Sequence, residues 1–448
     1  MPMTITEKIL AAHAGRDRLT PGQTVWCGVD VLMVNDITGP LAIGVFDRQF
    51  GPDAPVWDPA GPVLIPDHYI FTADRPSHRN VEVLRDFARR KGLKHYYDAD
   101  FIPDGLEGMP PPYADPRDTT YRGVCHVALP QGGHTRPGEV LLGADSHTCT
   151  HGAFGEFATG IGSTEAGFVM GTGKLWLRVP PTMKFVFTGH MPPYLMGKDL
   201  ILHVIGEIGV DGAAYRAMEF AGPAVGELDI DERCTMCNMA VEAGGKSGII
   251  AADETTLRYV RARTDKPFTV CQSDADAQYE KVYEFDTAAI EPTVACPHSP
   301  DNRAAARRKA DVKIDRVYIG SCTGGKTADF LAAAKVLAGR RAAVETYIVP
   351  ATVEVDGDLD RRKLGGRSLR EIFAAAGCRI GPASCAACLG GPPDTFGRAN
   401  EPITVVSTTN RNFPGRMGHK DAQVYLASPL TAAASAVAGH IADPRDYL

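Results

Sequence analysis

Residues 315–337, DRVYIGSCTGGKTADFLAAAKVL, say most about how this chain folds. The β-branched and aromatic run at 315–319 predicts a buried strand, and residues 327–337 predict a helix. The glycine-rich turn between them, residues 320–326, contains Cys322. Ligand sites of open α/β sheets lie at the carboxyl ends of strands, so the pattern places this cysteine at a candidate site.

The alternation of strand and helix patterns continues along the chain. Predicted strands are residues 183–188, 213–220, 315–319, 343–349 and 403–408. Predicted helices are residues 163–173, 198–209, 327–337 and 368–376. Strands that alternate with helices favour an α/β fold with largely parallel sheets.

The length of 448 residues is too great for a single hydrophobic core. A Val-Pro-Pro segment at 179–181 and a polar stretch at 291–303 are the candidate boundaries. They divide the chain into predicted domains at residues 1–178, 179–288 and 289–448.

Composition, charge and apolar runs exclude several classes of protein. Hydrophobic residues make up 44% and charged residues 23%, as expected of a soluble globular protein. The net charge of −7 argues against a surface devoted to nucleic acid. The chain has no apolar run of about 18 residues, so we expect no membrane span. Its first residues predict an amphipathic helix rather than a signal peptide, and we expect a cytoplasmic location. The 11 cysteines then indicate packing, metal binding or catalysis rather than a disulfide framework.

A second cysteine-containing loop, SCAACLG at 384–390, supplies Cys385 and Cys388. Together with Cys322, these residues could offer three thiolates to one cubane iron–sulfur cluster. One iron would then have no protein ligand and could act as a Lewis acid in hydration chemistry.

Two alternatives stay open for this cysteine pair. A lone C-x-x-C is also typical of zinc and redox sites. A second C-x-x-C, at Cys234 and Cys237, could complete a four-cysteine zinc site, although these two thiols could equally be packing groups.

Polar residues in glycine-rich or strand-end segments form the other candidate sites. They are Asp67 and His68 in PDH, His126 in GVCH, Asp145, Ser146 and His147 in GADSH, and Arg411 and Arg416 in NRNFPGR. Each has a structural interpretation: a capped turn, a core histidine, a helix N-cap at Asp145, or a solvated arginine pair.

Taken in order, these segments resemble the aconitase superfamily along essentially the whole chain. The motifs are PDH at 66–68, GVCH at 123–126, GADSHTCTHGAFG at 143–155, MEFAG at 218–222, DERCTMCNMAVEAGG at 231–245, GSCTGG at 320–325, SCAACLGG at 384–391 and TTNRNFPGRMG at 408–418. The resemblance implies three α/β/α domains around a central cluster site.

The resemblance also implies roles for single residues. The ligands of a [4Fe–4S] cluster would be Cys322, Cys385 and Cys388. The catalytic residues would be Asp67, His68, His126, Asp145, His147 and Glu219. The substrate-binding residues would be Asn35, Ser146, Arg411 and Arg416, and the residues hydrogen-bonded around the cluster would be Asn238 and Asn410. Cys234 and Cys237 match family positions that are not ligands.

The chain ends soon after Arg416, without the swivelling fourth domain of a full aconitase. It therefore resembles the large subunits of two-subunit members, of which the isopropylmalate isomerases of leucine biosynthesis are best known. Homoaconitase and 2,3-dimethylmalate dehydratase large subunits share the motifs. The implied partners are a hydroxy dicarboxylic acid and a small subunit that carries the swivelling domain and its serine base. A cluster-free RNA-binding protein on this fold is the weaker alternative.

Overall fold

The computed structural model describes residues 2–99 and 120–448 of the chain. These residues form three main sheets, and each sheet is built from one contiguous part of the sequence. We refer to the parts that carry them as the first, second and third units. On the basis of this arrangement, we propose that the chain divides into domains after residues 178 and 288.

The first unit contains a five-stranded parallel sheet in the order β4-β3-β2-β5-β6, and a separate antiparallel ribbon pairs β1 with β7. Helix α1 begins at a capping box, in which Thr4 and Glu7 each accept a hydrogen bond from the backbone N–H of the other. The elements are α1 (Ile5–His13), β1 (Thr24–Gly28), β2 (Val31–Val34), α2 (Gly39–Phe50), β3 (Pro62–Leu64), α3 (Arg75–Lys91), β4 (His95–Tyr96), α4 (Cys125–Gln131), β5 (Val140–Gly143), a 3₁₀ helix (Ser146–Phe154), β6 (Phe157–Gly160), α5 (Ser163–Thr172) and β7 (Lys174–Arg178).

The second unit contains a four-stranded sheet in the order β10-β9-β8-β11, and all of its neighbours are parallel. Its core includes Phe185, Phe187 and Phe220, which are fully or almost fully buried. The elements are β8 (Thr182–Thr188), α6 (Gly197–Ile208), β9 (Ala217–Ala221), α7 (Pro223–Glu227), α8 (Ile230–Asn238), a 3₁₀ helix (Met239–Ala243), β10 (Ser247–Ile249), α9 (Glu254–Arg261) and β11 (Lys281–Asp286).

The third unit contains a seven-stranded sheet in the order β13-β12-β20-β19-β14-β15-β18. Its strands are parallel except at β12, which is antiparallel to both neighbours. The elements are a 3₁₀ helix (Thr287–Ala289), β12 (Thr293–Ala295), β13 (Arg303–Ala305), a 3₁₀ helix (Ala306–Lys309), β14 (Arg316–Gly320), α10 (Thr327–Leu337), β15 (Glu345–Val349), α11 (Val353–Arg361), β16 (Lys363–Leu364), β17 (Arg367–Ser368), α12 (Leu369–Ala375), β18 (Arg379–Ile380), a 3₁₀ helix (Ala386–Leu389), β19 (Thr404–Ser407), β20 (Gln423–Ala427), α13 (Pro429–Ala438) and a 3₁₀ helix (Pro444–Asp446).

The parallel pairings bring the site-bearing loops together. Strand β2 lies between β3 and β5, so the loops after these three strands emerge at one edge of the first sheet. Strand β14 lies beside β19, so the turn holding Cys322 emerges next to the loop holding Asn410. Ligand sites lie at such edges because the carboxyl ends of parallel strands meet there.

The prediction of an α/β fold with mainly parallel sheets is confirmed, and the helix predicted at 327–337 coincides with α10. The strand predicted from residue 213 begins only at Ala217, because residues 213–216 form a turn with Tyr215 in the left-handed region at φ 60°. The prediction that His126 ends a strand is wrong, since it lies in the first turn of α4.

The start of α4 is fixed by close backbone contact with the third unit. Gly123 has φ 104°, and a Cβ there would lie 2.3 Å from the carbonyl oxygen of Ala351. Only glycine allows this approach. The contact brings the histidine that follows close to the third unit.

A search of the described residues for a helix both long and apolar enough to cross a bilayer finds none.

Candidate active site

A cavity of about 590 Å³ lies where the three units meet. Most of the predicted site residues line it. From the first unit these are His68, His126, Asp145, Ser146 and His147, and from the third unit they are Cys322, Cys385, Cys388, Asn410, Arg411 and Arg416. We call Asp67, His68, His126, Asp145 and His147 the histidine wall, and Cys322, Cys385 and Cys388 the cysteine wall.

The cysteine wall is buried and apolar. The three cysteines are 2–3% exposed and form one cluster with Val124, Val127 and Ala351. Burial raises the pKa of the Cys322 thiol, and hydrogen bonds from neighbouring groups partly offset that effect. The Sγ atoms of Cys385 and Cys388 are joined in a disulfide, with their Cα atoms 5.6 Å apart. The sequence analysis did not predict this bond, and thiolate ligation requires its reduction.

Two asparagine side chains donate toward the sulfur of Cys322. The Nδ2 atom of Asn238 lies 3.2 Å from Sγ, and that of Asn410 lies 3.6 Å away. Asn410 also donates to Asn238, so a small amide network surrounds the sulfur. Three sulfur donors at one cavity, apolar walls and N–H groups aimed at sulfur fit the requirements of an iron–sulfur cluster.

The histidine wall is ordered by a carboxylate. Asp145 Oδ1 accepts from His126 Nε2 at 2.9 Å and from the backbone N–H of His147 at 2.8 Å. The second bond caps the 3₁₀ helix, which confirms the N-cap interpretation of Asp145, and its catalytic role stays a prediction. Burial raises the pKa of Asp145, but His126 and His147 outweigh it and hold the pKa well below its usual range. The carboxylate is therefore anionic and stabilises a protonated imidazole.

A second acid–imidazole pair lies at the end of β3. His68 Nδ1 donates to Asp67 Oδ1 at 2.6 Å, and Asp67 Oδ2 accepts from the backbone N–H of Cys125 at 2.7 Å. Asp36 accepts from the backbone N–H groups of Asp67, His68 and Tyr69 and so holds the loop. Burial lowers the pKa of His68, but the two carboxylates raise it to about 9. The sequence analysis missed Asp36.

Glu242 connects the histidine wall to the arginines. Its Oε1 lies 2.7 Å from His147 Nε2, and both carboxylate oxygens accept from Arg411 Nε at 2.8 and 3.0 Å. Burial raises the pKa of Glu242, but His147 and Arg411 outweigh it and lower the pKa. The sequence analysis missed this residue, although it lies in the quoted motif DERCTMCNMAVEAGG, four residues after Asn238.

Glu219 lies elsewhere, and its predicted position near an open iron is wrong. It is on β9, where it accepts from Tyr279 at 2.9 Å and Ser273 at 2.7 Å and lies 3.6 Å from Lys184 Nζ. It is not among the residues that line the cavity. Its buried carboxylate is satisfied by these contacts within the second unit.

Two residues that were predicted to bind substrate, Asn35 and Ser146, contact side chains of the histidine wall. Asn35 is buried, donates to Asp145 Oδ2 at 3.2 Å and accepts from the backbone N–H groups of residues 37 and 38. It lies behind the site and orients Asp145. Ser146 lines the cavity, is exposed, and lies 3.4 Å from His147 Nδ1.

Donor groups at the cavity lack partners within the chain. In residues 2–99 and 120–448, the buried Nε of Arg416 and Nδ1 of His126 have no hydrogen-bond partner. Unsatisfied buried polar atoms are rare in proteins, so the two at this cavity are candidate partners of a polar ligand.

The alternative four-cysteine zinc site has no support in the structure. Cys234 and Cys237 lie on α8 within the hydrophobic core of the second unit, and burial raises the pKa of both thiols. Neither belongs to a cluster of ligand side chains in the described part of the chain. They are packing groups, as the family positions imply.

Two buried lysines lie beneath the turn that carries Cys322. Lys198 contacts Thr323, Thr408 and Thr409, and Lys326 contacts Cys322 and Asp329. Burial lowers the pKa of Lys198 to about 7. The sequence analysis missed both, because lysine is usually exposed and no motif marked them.

Comparison with known proteins matches the chain to a family. The family described as "Aconitase family (aconitate hydratase)" matches residues 7–439. The 3-isopropylmalate dehydratase large subunit, chloroplastic, of Arabidopsis thaliana is 57% identical over 453 residues, covering 100% of this chain and 87% of that protein. The 3-isopropylmalate dehydratase large subunit of Desulfitobacterium hafniense is 45% identical and covers 100% of both chains.

Among solved structures, the aconitase X of Thermococcus kodakaraensis in its holo-form is similar with a TM-score of 0.46 and 14% identity. The match covers 94% of this chain and 97% of that chain. The family match and the full-length relatives agree with the motifs and with the residues gathered at the cavity, and the chain belongs to the aconitase family.

Proposed function

We propose that this chain is the large subunit of a hydro-lyase that interconverts 2- and 3-isopropylmalate in leucine biosynthesis, with a [4Fe–4S] cluster held by Cys322, Cys385 and Cys388. The single observation that carries the proposal is that the cysteine wall and the histidine wall face one cavity. The names and identity of the full-length relatives support the choice of substrate.

When bound, the cluster supplies a Lewis-acidic iron that polarises the C–O bond of a hydroxy acid. The chain's own residues handle the proton. His126 donates through Nε2 to Asp145, so its Nδ1 is the atom available to protonate the departing hydroxyl. The anionic Asp145 accepts from Nε2 and so fixes the orientation of the ring for that step.

The arginines bind the carboxylates of the substrate. Arg411 is held through Nε by Glu242, which leaves its terminal N–H groups to meet one carboxylate. Arg416 is unpaired at Nε and suits the other, because a guanidinium presents parallel donors to two oxygens. His68, which lines the cavity and is oriented by Asp67, would hydrogen-bond the departing hydroxyl or water.

The base that removes the α-proton is proposed to be a serine on the swivelling domain of a small subunit. The names of the relatives, which call them large subunits, support the existence of such a partner. On this proposal the large chain alone is inactive or nearly so.

The test is anaerobic reconstitution with iron and sulfide under reducing conditions, followed by spectroscopy and a dehydration assay. We expect a [4Fe–4S] spectrum in the large chain alone, and alkene formation from 3-isopropylmalate only after a small subunit is added. A reduced, folded chain that binds no cluster would contradict the proposal. Normal turnover by the large chain alone would contradict its two-subunit part.

The substrate is tested with a panel of 3-isopropylmalate, 2,3-dimethylmalate, homocitrate and citrate. We expect the highest kcat/KM for 3-isopropylmalate. A higher value for another acid would assign the chain to that dehydratase while leaving the cluster chemistry unchanged.

A further inference from the structure

Two lysine side chains lie in the protein interior beneath the Cys322 turn. Lys198, on α6 of the second unit, and Lys326, at the end of the turn, are each 1% exposed. Lys198 Nζ donates to Thr323 Oγ1 at 3.2 Å, to the carbonyl oxygen of Thr408 at 2.9 Å and to that of Thr409 at 2.7 Å. It therefore joins the second unit to both loops that surround Cys322.

The three contacts of Lys198 match the three N–H groups of the ammonium form. The carbonyl oxygens of Thr408 and Thr409 can only accept hydrogen bonds. Thr323 Oγ1 gives its own hydrogen to the carbonyl of Thr408 at 2.8 Å, so it too accepts from the lysine. Three acceptors use three N–H groups, and only the charged amine has three.

The two lysines differ in their counter-ions. Lys326 Nζ lies 2.8 Å from Asp329 Oδ2. Lys198 Nζ has no carboxylate within ion-pair distance among residues 2–99 and 120–448, and its three partners are neutral. Asp329 and Glu242 act on Lys198 only from beyond ion-pair distance. A buried ammonium whose direct partners are all neutral is unfavourable, so the site calls for more negative charge close by.

We propose that the ammonium of Lys198 is the counter-charge of the anionic iron–sulfur cluster and its Cys322 thiolate, and that it stabilises the bound cluster from beneath. This inference rests on the proposed function, because it needs the cluster to be present. Lys198 lies behind the turn and is not among the residues lining the cavity, so it is a positioning and charge-balancing residue rather than a catalytic one.

The test is Lys198→Gln in the full chain, loaded anaerobically with iron and sulfide. The amide keeps hydrogen-bond donors but removes the charge. The readout is the rate at which a chelator bleaches the cluster absorbance, which requires no turnover. We expect bleaching about tenfold faster than in the wild type, as loss of one close charge interaction in a low-dielectric site predicts. Lys184→Gln is the matched control, because Lys184 pairs with Glu219 away from the cavity, and it should bleach at the wild-type rate.

A second variant changes the charge near the cluster in the opposite direction. Its result does not depend on whether Lys198→Gln folds. Asp329→Asn removes the counter-ion of Lys326, which leaves a second buried cation near the cluster, and should slow bleaching. Unchanged or faster bleaching in Asp329→Asn, or wild-type bleaching in folded Lys198→Gln, would overturn the inference alone. A wild-type chain that takes up no cluster would overturn the proposed function and this inference together.

Discussion

The histidine wall and the cysteine wall face the same cavity, but only the first is held by charged hydrogen bonds between its own side chains. Asp145 binds His126 and His147, and Asp67 binds His68, all with short hydrogen bonds. Among residues 2–99 and 120–448, the hydrogen-bond partners of the Cys322 sulfur are two amides and one hydroxyl. The acid–base side is thus pre-organised by protein contacts, whereas the other side has the donors of a site that a bound group completes.

Because of this difference, we expect a substitution in the cysteine wall to have the largest effect on cluster binding and turnover. Cys322→Ser should abolish cluster binding and lower turnover by more than about a thousandfold, because serine replaces a soft thiolate with a hard, protonated hydroxyl. Iron and sulfide content, measured beside the dehydration assay, checks the result.

Cys378→Ser is the matched control for that experiment. Cys378 is half-buried in the third unit and does not line the cavity. Its variant should bind iron and turn over as the wild type does. Full cluster content in folded Cys322→Ser would show that this cysteine is not a ligand.

In the histidine wall, Asp145→Asn should lower kcat by about 100- to 10,000-fold while the cluster stays bound, the range typical for loss of a general acid. The cause is that Asp145, whose pKa is held low, no longer stabilises a protonated His126. The pH–rate profile should also change, since the imidazole of His126 loses its anionic hydrogen-bond partner.

The cluster absorbance of Asp145→Asn separates this effect from a general collapse of the site. His203→Gln, at a half-buried histidine packed on Phe285 away from the cavity, should leave kcat unchanged. A pH–rate profile of Asp145→Asn that keeps the wild-type limbs would argue against the proposed role of His126.

Two glutamates of the second unit sharpen the comparison further. Glu242→Gln should lower kcat/KM by about a hundredfold, because it loses charged hydrogen bonds to both His147 and Arg411. Glu219→Gln should change kcat/KM less than about twofold, since its contacts lie outside the cavity, although it can lower the melting temperature. Steady-state kinetics on both variants checks the pair, and a reversed order would restore the original prediction for Glu219.

The contrast between these glutamates shows which site residues can be predicted from the sequence alone. The strand–turn–helix pattern placed Cys322 after β14 correctly, because such patterns are local. Glu219 lies within a predicted strand as well, yet its side chain contacts Ser273 and Tyr279 and does not line the cavity. Glu242 lies in a short 3₁₀ helix with no local sign of its partners, which are 95 and 169 residues away in sequence.

The same limit explains the other residues that were missed. Asp36 acts through backbone N–H groups of a neighbouring loop, 31 and 32 residues away. Lys198 reaches loops 125 to 211 residues away. Periodicity and composition carry no information about such long-range contacts. The family resemblance, in contrast, was confirmed by the full-length relatives and the fold.

Among the cavity-lining residues, the smallest expected effect is on substrate binding by Arg416. Arg416→Lys should raise KM about tenfold and change kcat little, because lysine keeps the charge but cannot present two parallel donors to a carboxylate. Steady-state kinetics on 3-isopropylmalate measures both constants. Arg398→Lys, outside the residues lining the cavity, is the control and should keep the wild-type KM. An unchanged KM in Arg416→Lys would remove this arginine from the binding site, while a fall in kcat alone would assign it to the transition state instead.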